Sequence, residues 1–123
     1  MSGAGNFQGR STEEGRQAQA IAERVLRAAG FEVIARNKLL DDLGVTVNFI
    51  AKDKRANDWC FDTSGSFTSE RSGLIRTDTM WKTLGRASVL YESGVKRLII
   101  LTTNLPKAGS VGETAMRAAS RIF

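Results

Sequence analysis

Asp62 and Ser64 stand two positions apart in the stretch WCFDTSGSF, residues 59–67. On an extended strand alternate side chains share a face, so the acid and the hydroxyl point the same way, with a glycine turn directly after them. The chemistry open to such a pair is bounded by what the chain lacks. It has no histidine, which excludes imidazole general bases, Ser-His-Asp triads and His-ligated zinc. Cys60 is the only cysteine, so no internal disulfide can form and a reducing, cytoplasmic setting is expected. With no imidazole to activate it, Cys60 reads as a small buried hydrophobe. Hydrolysis by this chain would have to use carboxylates, lysine, hydroxyls and a hard metal ion.

The 123 residues make one ordinary domain, and 41% apolar with 25% charged residues is the composition of a folded chain. Eighteen lysines and arginines against 13 acids give a net charge of +5. Clustered cations gain free energy by neutralising phosphates and releasing counterions, which favours a nucleic-acid partner; the blander role of the same charge is solubility. No apolar run approaches membrane-spanning length, so no membrane partner is expected. The opening MSGAGNFQGR has neither the apolar core of a secretory signal nor the lysine of a phosphate-binding loop.

The elements that must position Asp62 follow from periodicity. Residues 1–12 are small and polar and read as a flexible arm, leaving residues 13–123 as the domain. Ala18, Ile21, Ala22, Val25 and Ala29 recur at helical spacing, with Ser11 or Thr12 as cap and Gly30 as stop. FEVIAR, from Phe31, alternates as a strand. VTVNFIA puts Val45, Val47, Phe49 and Ala51 on one face, and DWCFDTS sets Trp59, Phe61 and Thr63 opposite Cys60, Asp62 and Ser64. GSFTSERSGLIR has no period and reads as a loop. A second helix runs from Thr77 or Asp78 to Gly94, burying Met80, Leu84, Ala87 and Tyr91, with Asp78, Lys82 and Arg86 on the opposite side. VKRLIILTT, apolar throughout its second half, reads as a fourth and central strand, and VGETAMRAASRIF as a last helix. The order is α-β-β-β-α-β-α. The helix before the fourth strand allows a parallel crossover, so the expected fold is α/β, a mixed sheet with helices on both faces.

This order, together with AERVLRAAGFEVIARN from Ala22, VNFIAKD and WCFDTSG, resembles the restriction-endonuclease-like, PD-(D/E)xK, nuclease superfamily and its small resolvase-like members. The resemblance runs from about Gly15 to Thr103. It implies phosphodiester hydrolysis in DNA. An acid on strand two and another on strand three would hold Mg²⁺ or Mn²⁺, a lysine two residues after the second would orient the attacking water, and a helix-one Glu would assist. Carried onto this chain, those positions fall on Asn48, Asp62, Ser64 and Gln19, with Glu23 one turn after Gln19. Asp62 alone keeps its charge, so metal affinity should suffer.

Two substitutes are open: Lys82 for the missing lysine, and Asp41 or Asp42 for the missing acid. Asp78 and Lys82 also make an ordinary i,i+4 pair, which spacing supports equally. Arg71, Arg76, Lys82 and Arg86 could form a phosphate-contacting patch, with Ser66, Thr68 and Ser69 as neutral donors, or a solvated rim. Trp81 could stack on a base or pack. Two functions stay open at this level: a metal-dependent DNA endonuclease with Asp62 and Asn48 as metal ligands, or a cleavage-inactive relative that binds DNA or forms an interface. The resemblance further implies a homodimer, the state in which many resolvase-like members act. A protein-interaction module with no nucleic-acid partner is the third reading.

Overall fold

The computed structural model describes residues 16–64, 74, 77–102 and 104–123. The expected arm and most of the loop after Ser64, including Arg71 and Arg76, lie outside the described residues. Helix α1 covers residues 16–28 and ends where Gly30 takes a φ of +94°. The Phe31 amide then donates to the Leu26 carbonyl and the Gly30 amide to the Arg27 carbonyl, the paired bonds of a glycine-terminated helix. The positive φ favours glycine at residue 30, and a Cβ there would also stand 2.8 Å from Lys54 Cε, so the lysine side chain would have to shift.

Strands β1 (Glu32–Leu40), β2 (Val45–Lys52) and β3 (Asp58–Ser64) follow in an antiparallel meander. Helix α2 (Thr77–Glu92) crosses over to β4 (Leu98–Thr102), which lies parallel to β3, and α3 (Val111–Ala118) and a 3₁₀ turn (Ser120–Ile122) complete the order. The α/β class, the mixed four-stranded sheet and its flanking helices are those expected. The place of β4 is not. Among the described residues the sheet order is β1-β2-β3-β4, which puts β4 at an edge. Its apolar character comes from cover above and below. Ile99 and Leu101 pack on the α1 side, while Leu98 and Ile100 pack with α2 and α3 residues.

The faces also divide differently from the simple alternation. Phe49, Ala51 and Phe61 bury against Ala22 and Leu26 of α1. Val45 and Val47 instead join Ala87 and Leu90 of α2, with Leu98. Opposite the point of change, between the pairs Arg36–Phe49 and Lys38–Val47, Asn37 of β1 has a φ of +48°. In α1, Leu26 is buried while Val25 and Ala29 are exposed, so the buried stripe is turned one position from that expected. In α2 the buried set is Met80, Thr83, Leu84, Ala87 and Leu90, with Tyr91 half-buried. The rotation of that stripe brings Arg86 to its margin. Leu74, from the stretch that reads as a loop, is buried with Met80 and Leu84.

Candidate functional site

The β2–β3 ladder runs from Lys52–Asp58 to Phe49–Phe61. Beyond it the link between the strands is made by a side chain, with Asn48 Oδ1 accepting the Thr63 backbone N–H at 2.9 Å. β3 continues alone with β4, through Asp62–Ile100 to Ser64–Thr102. Asp62 therefore sits where β2 gives way and only the parallel pair remains, on the α2 side with Cys60.

Asp62 is only 3% exposed. A buried carboxylate is costly unless paired, and here the partner comes from α2: Arg86 Nε donates to Asp62 Oδ2 at 2.8 Å. Arg86 Nη2 reaches Thr83 Oγ1 at 3.3 Å, while the same Thr83 hydroxyl donates to the Thr79 carbonyl at 2.8 Å. Burial pushes the Asp62 carboxyl above the usual carboxylate range, and Arg86 offsets only part of that. Burial likewise raises the Cys60 thiol, in keeping with an inert side chain packed toward α2.

The other expected site residues are engaged elsewhere. On α1, Glu23 accepts from Arg36 of β1 and from Arg27 one turn on, and the Arg36 hydrogen bond leads in holding its carboxyl below the ordinary value. Gln19 Oε1 accepts from Asn37 Nδ2 at 3.3 Å. Both therefore tie α1 to β1, whereas Asp62 is tied to α2. Asp41 and Asp42 are exposed in the β1–β2 turn, and Lys82 is exposed on α2 one turn before Arg86. Trp81 is 53% exposed, so it is not a packing residue of the core. Ser64 closes the β3–β4 ladder opposite Thr102; its side chain lies outside the described set, as do Ser66, Thr68 and Ser69.

Among the described residues, the oxygens that the resemblance assigns to a metal ion already have other partners. The Asp62 charge is matched by a guanidinium and the Asn48 amide oxygen by a backbone N–H. Among the described residues no three acidic or cysteine side chains gather as a metal group would require. Nor does any described helix have the length and apolarity to cross a membrane.

No match was found. Neither a family model, nor a curated protein, nor a solved structure matches the chain. The site is accordingly defined by its own geometry.

Sequence reasoning missed the Asp62–Arg86 pair because helical spacing assigns Arg86 to the solvated side of α2. It also missed Asp53. Asp53 Oδ1 accepts the Arg55 and Asn57 amides at 2.8 and 2.9 Å, and Oδ2 accepts Asn57 Nδ2 and Trp59 Nε1 at 3.2 and 2.9 Å. These bonds, led by that from Trp59, hold the carboxyl far below its usual range. The signal is present in KDKRANDW, since an Asp followed by backbone turns is an Asx-type cap.

Proposed function

We propose that this chain is a nucleic-acid-binding domain built on a restriction-endonuclease-like plan, in which Asp62 holds an arginine for phosphate contact instead of holding a metal ion. The observation that carries the reading is the Asp62–Arg86 pair. A guanidinium has five N–H donors, and two are used here, by Asp62 and Thr83. Among the described residues three are left without a partner, on a side chain that is about one-third exposed, 34%. A buried acid that fixes one edge of an arginine presents the rest in a set orientation, the geometry suited to a phosphate oxygen. Lys82, exposed one turn earlier on α2, extends the same cationic surface. The element order, the antiparallel meander and the parallel β3–β4 pair support the plan, and the net charge of +5 supports the partner.

The test is DNA binding by fluorescence anisotropy across a salt series, with and without chelator, beside a plasmid-nicking assay in Mg²⁺ and Mn²⁺. Binding should weaken steeply with salt and ignore chelator. Each removed phosphate contact should lower the salt slope by about 0.9 on duplex DNA. K82Q tests one contact. D62N/R86Q tests the other, removing the cation without leaving an orphaned acid. Metal-dependent nicking abolished by D62A would overturn the reading in favour of an endonuclease, and failure to bind DNA or RNA at any salt would leave the protein-interaction alternative.

A further inference from the structure

The opposite end of the β2–β3 hairpin carries a second feature that this reading does not use. A groove of about 480 Å³ lies between the end of α1 and the hairpin turn, lined by Gly30, Phe31, Asp53, Lys54, Arg55 and Trp59 among others. Its aromatic wall is fixed. Phe31 meets Trp59 edge-on at 6.3 Å and Phe61 at 5.0 Å between ring centroids, and the indole N–H is held by Asp53. The Asp53 carboxylate offers nothing further to a ligand, because its four hydrogen bonds use the acceptor directions of both oxygens. Lys54 and Arg55, by contrast, are exposed and make no ion pair among the described residues. That differs from Lys52 nearby, which is bridged to Asp58 at 2.8 Å.

We infer that this groove takes one unpaired nucleotide of a single strand, its base against Phe31 and Trp59 and its phosphates on Lys54 and Arg55. The groove is shallow and open to solvent, so what it offers is a wall for one base to lie against, not an enclosure. Cationic side chains beside aromatic rings are the combination that binds single strands without sequence preference, phosphate attraction adding to stacking. Gly30 contributes by absence: without a Cβ, the Lys54 stem lies against the helix end and borders the groove. The inference takes its class of partner from the proposed function, and it concerns a different end of the sheet from Arg86.

The experiment uses W81F, in which Trp59 is the one tryptophan left. The protein is titrated with oligothymidylate, following indole fluorescence and, separately, anisotropy of a labelled oligonucleotide. Saturable quenching of Trp59 is expected. K54Q/R55Q should lose on the order of tenfold in affinity and about 1.4 in salt slope, two contacts at about 0.7 each, and K54R/R55K should restore both. If the labelled strand binds but Trp59 is silent and K54Q/R55Q is unaffected, the groove inference is wrong and the Arg86 reading stands. If neither single strand nor duplex binds, both are wrong.

Discussion

Substituting Arg86 by glutamine should produce a loss of stability that depends on pH in a defined way. The substitution leaves Asp62, 3% exposed, without its ion-pair partner. Breaking a fully buried pair from one side costs about 3–5 kcal/mol. Arg86 is about one-third exposed, so water screens part of the lost attraction, and a cost of about 2–3 kcal/mol at pH 7 follows. The orphaned carboxyl can escape that cost by taking a proton. Its folded-state pKa, already raised by burial in the intact protein, rises further, while the unfolded value stays near the ordinary ~3.9. Between the two values the folded state holds a proton that the unfolded state has released. Stability must therefore fall as pH rises through that window, by about 1.4 kcal/mol per pH unit, and level off above the folded pKa. Urea denaturation of wild type and R86Q from pH 4 to pH 8 reads this directly, the difference being largest at the high end and shrinking as pH falls through the window toward the unfolded value. D62N/R86Q, with no acid to bury, should regain most of the loss at pH 7. A pH-independent difference, or a double variant no more stable than R86Q, would refute the claim that Arg86 chiefly compensates the Asp62 charge.

Two further outcomes are expected. Gly85 lies inside α2 with nothing within 4 Å of the point where an alanine methyl would stand, so G85A should stabilise by about 0.5–1 kcal/mol through helix propensity and raise the thermal midpoint by a few degrees; a lower midpoint would mean that something approaches this face closely. Asp53 has a depressed folded-state pKa, so its contribution is present above the unfolded value of ~3.9 and is lost as pH falls through the lower folded one. The difference in thermal midpoint between wild type and D53N should accordingly be full at neutral pH and narrow in strong acid, and a constant difference throughout would rule out Asp53 as the anchor of the hairpin.

The elements are legible in the sequence wherever local chemistry decides them. β3 begins at Asp58 and ends at Ser64 as its alternation indicates, and Gly30 and Gly94 close their helices at positive φ. What escapes is set by partners distant in sequence. β4 looks central because both its faces are apolar, yet that reflects helices above and below, and an apolar strand reads alike whether its flank is paired or bare. Alternation groups Val45 and Val47 with Phe49 because it assumes one unbroken face, whereas the packing partner changes from α2 to α1 between Val47 and Phe49, opposite Asn37 at positive φ. Asp62 stands out in the sequence by its place among apolar neighbours on β3. Its partner does not, since periodicity ranks a helix position as inward or outward and cannot identify an arginine at the boundary that reaches across to a strand.

The parallel β3–β4 pair also orders events in time. The meander closes through short turns, residue 40 meeting residue 45 and residue 52 meeting residue 58, while residue 60 must wait for residue 98. Closing that longer loop carries more entropy, and the intervening chain gains by first forming α2. Arg86 sits on this late crossover and Asp62 on the early hairpin. Their pairing thus joins a contact that is distant in sequence to a hairpin whose own turn is closed locally, so the cationic surface around Arg86 depends on the crossover while the groove's hairpin turn does not.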